Sequence, residues 1–329
     1  MPGSPRRDRD ATTLSVLPAD LAPQAAAAGL PAAPERGEDI AGWLIETARR
    51  EPAARRYLYF LKSSYEAFHA IEECFPRSPG VTGGGIGTSP EELLHIANHL
   101  YLLATAEVPG VLLECGCFKG FSAACLSQAC AFLGRDLVVA DSFQGLPGKT
   151  GAGEEGYRPG DFRGGREEVE ANVRLFGRIE RVRFVEGWFR DTLAEFHEPI
   201  ALLWMDVDLY ASATDVLDAV WGKLDPKAAI FSHEFLPEQI GLDGRIVHPQ
   251  EPPGAIRDAF AARGLKELAV HLAGWLARID RPETVGIGAE SLVRALLPHL
   301  RDLDHRARAA RQAIGLKPAL RDFFRRRLG

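Results

Sequence analysis

Two apolar runs in this chain each end in an acid, and a glycine turn follows the first. Val111-Leu-Leu leads to Glu114, Gly116 and Gly120 bracket a tight turn, and Val138-Val-Ala leads to Asp141. An acid at the tip of a second strand can accept hydrogen bonds from a ribose diol, and the glycines let backbone approach a ligand closely. The dinucleotide fingerprint is missing, because Gly116-Cys-Phe-Lys-Gly120 has the wrong glycine spacing. The chemistry indicated is an adenosine-type ligand without a pyrophosphate, and S-adenosylmethionine (SAM) meets that description best. Further acids end later apolar runs: Glu186, then Asp206 and Asp208, then Glu234 beside His233. Acids gathered at one sheet edge repel each other unless a cation joins them. The sulfonium and ammonium of SAM are one source of positive charge, and a divalent metal is another. Asp206 and Asp208 alternate sides if the chain is extended there, which leaves at most one facing a site and Asp208 free to cap the next helix.

These residues need a sheet whose strands all end on the same edge. Short apolar runs at 111–115, 136–141, 181–186, 200–206 and 228–233 alternate with helical segments near 119–133, 165–176, 191–196 and 213–224. That alternation predicts a doubly wound, mostly parallel α/β sheet covered on both faces, a Rossmann-like SAM-binding fold. A further helix is expected at 254–263, and 266–273 with 274–279 as a closing pair of strands. Residues 38–107 read as a helical N-terminal extension, with Ser89 as N-cap and Pro90 at the first helical position of one helix. Residues 80–87 read as a flexible glycine loop, and 148–165 as a mobile lid over the acceptor. The Ala/Pro/Arg-rich residues 1–37 carry no apolar period and are expected to be disordered. The methyltransferase-type domain is placed at 108–290, and 291–329 is expected to be a helical tail with a basic end at Arg321, Arg325, Arg326 and Arg327.

Composition narrows the classes. With 39 Lys and Arg against 45 Asp and Glu, the net charge is −6, so no basic field points to a nucleic-acid partner. No apolar run approaches the roughly 18 residues of a membrane span. The arginines near the N-terminus are followed by alanine and proline rather than an apolar segment, so a cytoplasmic location is expected. The cysteines are Cys74, Cys115, Cys117, Cys125 and Cys130, an odd number without zinc spacing, read as small core side chains.

The chain resembles the macrocin O-methyltransferase family of SAM-dependent enzymes that methylate sugar hydroxyls on antibiotics. The resemblance is carried by Glu114-Cys-Gly116 with Lys119-Gly120, Asp141-Ser-Phe-Gln-Gly-Leu-Pro147, Glu186-Gly-Trp-Phe-Arg-Asp-Thr-Leu193 and Met205-Asp-Val-Asp-Leu-Tyr-Ala-Ser212, in order. It implies a magnesium held by Asp206 and by two adjacent aspartates at the end of the fifth strand. Here those two positions are His233 and Glu234, and the family's following tyrosine is Phe235. Imidazole is a poor magnesium ligand and suits Mn²⁺ better, and without a metal His233 could act as a general base.

The candidate cofactor residues are thus Glu114, Gly116, Lys119, Gly120, Ser122, Asp141, Ser142, Gly187 and Trp188. Asp206 and His233 are the candidate catalytic residues, and Asp206, His233 and Glu234 the candidate metal ligands, for Mg²⁺ or Mn²⁺. The reading is O-methylation of a small, sugar-bearing acceptor, by a monomer or a homo-oligomer. Two rivals are methylation of a lipid-linked or polymer-borne glycan, with the basic tail on a membrane, and a non-catalytic SAM-binding or assembly protein.

Overall fold

The structure is a computed structural model that describes residues 13–16, 39–148, 156–235, 240, 245–265, 267–284 and 290–313. Its centre is a sheet of eight strands: β1 (Thr13–Val16), β2 (Val111–Cys115), β3 (Leu137–Asp141), β4 (Val182–Glu186), β5 (Ile200–Met205), β6 (Leu224–Ser232), β7 (Glu267–Ala273) and β8 (Leu276–Asp280). The spatial order is β1-β7-β8-β6-β5-β2-β3-β4, parallel throughout except for β8, which runs antiparallel to β6 and β7.

Side chains of β2 divide between two cores. Leu112 joins one cluster with Val139, Trp204 and Phe231, while Leu113 joins the other with Val138, Leu203 and Ile230. Both faces of the strand are therefore dry, which is why its sequence reads as a continuous apolar run. Helices α1 (Ile40–Arg50), α2 (Pro52–Cys74), α4 (Pro90–Thr105), α5 (Phe121–Leu133) and α10 (Glu290–Ala313) feed the first core. Helices α8 (Tyr210–Val220) and α9 (Pro252–Ala262) feed the second. The remaining helices are the short α3 (Thr82–Gly85), α6 (Arg166–Phe176) and the short α7 (Phe189–Thr192).

The strand ends fall close to the sequence expectation, and the closing pair forms an antiparallel hairpin with His271 opposite Arg278. Two expectations fail. Thr13–Val16 lies inside the segment read as disordered, yet it pairs in parallel with Glu267–Val270. Four residues bounded by prolines and alanines are too short to show a period of their own, and it is the open edge of β7 that gives them partners. The rest of 1–37, apart from those four, lies outside the described residues. Within the glycine loop, Thr82–Gly85 makes a helical turn, closed by Ser78 N–H donating to the Gly85 carbonyl at 2.8 Å. In the tail, α10 lies on the body of the protein, with Arg301 paired to Glu91 of α4 at 2.6 Å. The arginines from 321 onward lie outside the described residues. No described helix is long and apolar enough to cross a membrane.

Sheet order reverses at β2, since β3 follows on one side and β5 lies on the other. In open α/β sheets that switch point opens a crevice beyond the carboxyl ends of the strands. Gly116, just past β2, approaches the backbone after β5 so closely that a Cβ there would lie 2.1 Å from the Asp206 carbonyl oxygen. With a φ of +84°, Gly116 is a position that only glycine fills without strain.

Candidate functional site

A cleft of about 250 Å³ opens at this switch point. Gly116, Asp141, Trp188, Asp206, His233 and Glu234 are among its walls. Five separate strand ends thus meet in one cavity.

At one end, Asp141 is fixed by backbone donors: Cys117 N–H to Oδ2 at 2.8 Å and Phe143 N–H to Oδ1 at 2.7 Å. Burial raises its carboxyl, and these donors work against that rise. Each carboxylate oxygen has a second lone pair, so the group can still accept from a ligand diol. Ser142 shapes the loop beside it: its Oγ donates to the Gly145 carbonyl at 3.0 Å and accepts from Gln144 N–H at 3.1 Å. Gly187 donates its N–H to the Asp141 carbonyl at 2.9 Å and turns the chain at φ +139°. Trp188 follows, with 36% of its surface exposed.

Four residues of the candidate cofactor set lie behind this wall rather than in it. Glu114 is fully buried, accepts a short hydrogen bond from Ser122 Oγ through Oε1, and leaves Oε2 without a hydrogen-bond partner. Burial pushes its carboxyl up to about 8. Lys119 pairs with Glu168 at 3.4 Å. Gly120 sits against Val169, where a Cβ would come within 2.9 Å of Cγ1. These residues build the turn that presents Gly116 and Phe118 to the cleft.

The acidic end is denser. Ligand atoms of Asp206, His233 and Glu234 all lie within 4.8 Å of one another, so the trio read from sequence is brought together. Asp206 Oδ2 accepts from Thr88 Oγ1 at 3.2 Å, and Oδ1 lies 3.6 Å from His233 Nδ1. On the other side, His233 Nε2 lies 3.7 Å from Glu92 Oε2. Burial pulls the imidazole toward neutrality, but Asp206, Glu92 and Glu234 outweigh it and lift His233 to about 9. Burial likewise opposes ionisation of Glu92, yet His233 and Ser89 hold that carboxyl at about 2.

Asp208 departs from expectation. It lines the cleft together with Asp206, although alternation allowed only one of them. Both lie past Met205, where β5 ends and strand alternation no longer governs which way a side chain faces. Nor does Asp208 cap α8, whose N-cap is Leu209 without a side-chain bond. Burial, and then the nearby Asp206 charge, push Asp208 up to about 7. Burial, Asp208 and Asp206 together hold Glu234 well above the carboxylate range. Such crowding is the environment that an added cation relieves.

Other walls of the cleft come from residues the strand-end pattern did not single out. Tyr157 and Phe162 stand beside the 149–155 stretch, which lies outside the described residues. Trp275, 45% exposed, comes from the β7–β8 turn. Glu92 carried a readable signal only as half of the capping box Ser89-x-x-Glu92, and that box forms.

The fold is similar to that of a solved structure, the O-methyltransferase NovP. The two superpose with a TM-score of 0.53 at 21% identity, over 68% of this chain and 99% of that one. Residues 79–235 match the macrocin-O-methyltransferase (TylF) family model. Curated relatives match part of the chain. Demethyldecarbamoylnovobiocin O-methyltransferase of Streptomyces niveus is 34% identical over 146 residues, 39% of this chain and 54% of the relative. Mycinamicin III 3''-O-methyltransferase of Micromonospora griseorubida is 35% identical over 136 residues, 36% of this chain and 52% of the relative. This chain therefore spans about half the length of the curated relatives it matches.

Proposed function

We propose that this protein is a SAM-dependent O-methyltransferase acting on a hydroxyl of a small, sugar-bearing acceptor. The observation that carries the proposal is the convergence of Asp141 and Asp206, from two different strand ends, on one cleft at the switch point of the sheet, in a region that matches the macrocin-O-methyltransferase family. The two curated relatives named above are O-methyltransferases by name, and one is named for a 3'' position.

Methyl transfer is an in-line displacement at the sulfonium carbon. The acceptor oxygen forms a bond to the methyl carbon, the carbon–sulfur bond breaks, and the hydroxyl proton passes to a base. The enzyme's tasks are alignment and proton removal. Asp141 accepts from the ribose diol and sets the depth of the cofactor, while the Gly116 turn leaves room for it. Asp206, steadied by Thr88, is the group placed to take the hydroxyl proton. Burial raises its carboxyl, which makes it a stronger base than an exposed aspartate.

Asp206, His233 and Glu234 also suit a divalent cation. Their donor atoms cluster, and two of the three are carboxylates that crowd each other without one. An imidazole among them favours Mn²⁺ over Mg²⁺. When bound, such a cation would supply a lowered pKa for the acceptor hydroxyl.

The cofactor assignment is tested by calorimetry. Asp141→Ala should weaken SAM binding by about 1.5–3 kcal/mol, the scale of charge-assisted hydrogen bonds. Unchanged affinity in a folded variant would remove Asp141 from the cofactor site and take the orientation of the whole cleft with it.

A further inference from the structure

Glu92 lies outside every acid-tipped strand, yet three hydrogen bonds hold its carboxylate in place. Its Oε2 accepts from Ser89 N–H at 2.9 Å and from Ser89 Oγ at 2.7 Å, and its Oε1 accepts from the Trp275 N–H at 2.8 Å. The first bond, with Glu92 N–H donating to Ser89 Oγ at 3.3 Å, closes the capping box at the start of α4, and the third ties that helix end to the β7–β8 turn. A carboxylate clamped from both sides has little freedom to follow a ligand. It can, however, set the orientation of whatever faces it.

What faces it is His233. The imidazole Nε2 is buried, has no hydrogen-bond partner among the described residues, and lies 3.7 Å from Glu92 Oε2. Trp204 stands edge-on at 6.1 Å from the ring and Trp275 lies at 6.2 Å, so the imidazole is confined between two indoles. Its other nitrogen, Nδ1, is the one turned to Asp206, 3.6 Å from Oδ1. A metal-binding histidine almost always gives its second ring N–H to a carboxylate, carbonyl or water, and that partner fixes the tautomer and the ring orientation.

We propose that Glu92 is a positioning residue: its carboxylate, 3.7 Å from Nε2, favours a proton on that nitrogen and so leaves Nδ1 as the one offered to a divalent cation between His233, Asp206 and Glu234. The inference rests on the cation reading of the site given above.

Mn²⁺ alone is the probe, titrated into the full chain and followed by electron paramagnetic resonance. Glutamine also serves at the third position of a capping box, so Glu92→Gln keeps the helix start while removing the charge. It should weaken Mn²⁺ binding roughly 10–100-fold, the usual cost of losing such a partner. His233→Ala should weaken it too, and adding Glu92→Gln to His233→Ala should cost nothing more, since the two act as one unit. Unchanged Mn²⁺ affinity in Glu92→Gln, with a loss in His233→Ala, overturns the inference and leaves the cation site standing. No Mn²⁺ binding by the wild-type chain overturns both. Should Glu92→Gln fail to fold, nitrogen NMR of the wild-type protein with Zn²⁺, a diamagnetic ion that accepts imidazole, decides: the His233 proton is expected on Nε2, and a proton on Nδ1, or on both nitrogens, overturns the proposal.

Discussion

Asp206→Asn is expected to keep SAM affinity and to lower turnover by roughly 10²-fold or more, the scale of losing a general base. Asparagine keeps the shape, and its amide can still meet Thr88 Oγ1, which now bonds the carboxylate at 3.2 Å. The variant removes only the charge and the basic lone pairs. Because Asp206 and Asp141 line the cleft from different strand ends and the cofactor role is assigned to Asp141, binding and turnover should separate. Single-turnover rates beside calorimetric SAM affinities would check this. Near-full turnover would make Asp206 structural and displace the proposed chemistry from this end of the cleft.

Chelation should abolish methyl transfer, and Mn²⁺ should restore it at least as well as Mg²⁺, because manganese accepts imidazole more readily. The reason lies in the charges. Asp206, Asp208 and Glu234 share one end of the cavity, and burial with mutual repulsion lifts Asp208 to about 7 and Glu234 well above the carboxylate range. A divalent ion offsets that repulsion and would displace the His233 proton, so activity with metal should fall as protons compete at lower pH. The contrary outcome has a distinct signature. If His233 were the base without a metal, chelator would do nothing. The imidazole, protonated below its raised value of about 9, would act only once deprotonated, so the rate would rise with pH through about 9 instead of the 6–7 of an ordinary histidine.

The Asp141 wall of the cleft was readable because its parts are local. Glu114, Gly116 and Asp141 lie within one strand-turn-helix-strand unit, and the spacing of apolar runs, glycines and acids encodes that unit directly. Even there, sequence did not separate the residues that face the cavity from those that support them. Lys119 and Ser122 belong to the same motif as Gly116, yet they bond Glu168 and Glu114 instead of lining the cleft. That distinction depends on where the turn folds back. The acidic end was half readable. Asp206, His233 and Glu234 end their apolar runs, but the pairing of Asp206 with Asp208 required knowing that the strand stops at Met205. Glu92 and Trp275 could not be placed, because they are 183 residues apart and meet only when α4 and the β7–β8 turn pack together. The edge strand Thr13–Val16 was hidden for a related reason: its partner is β7, more than half the chain away.

The measurement that tests the account most directly is transfer of an isotope-labelled methyl group. SAM carrying a trideuterated methyl is incubated with the protein and with Asp206→Asn in extracts of small glycosylated metabolites, and products are read by mass spectrometry. The expected result is one labelled methyl on a sugar hydroxyl of an acceptor with the wild-type protein, and almost none with the variant. Label on a non-sugar position, or equal labelling by both proteins, would contradict the account.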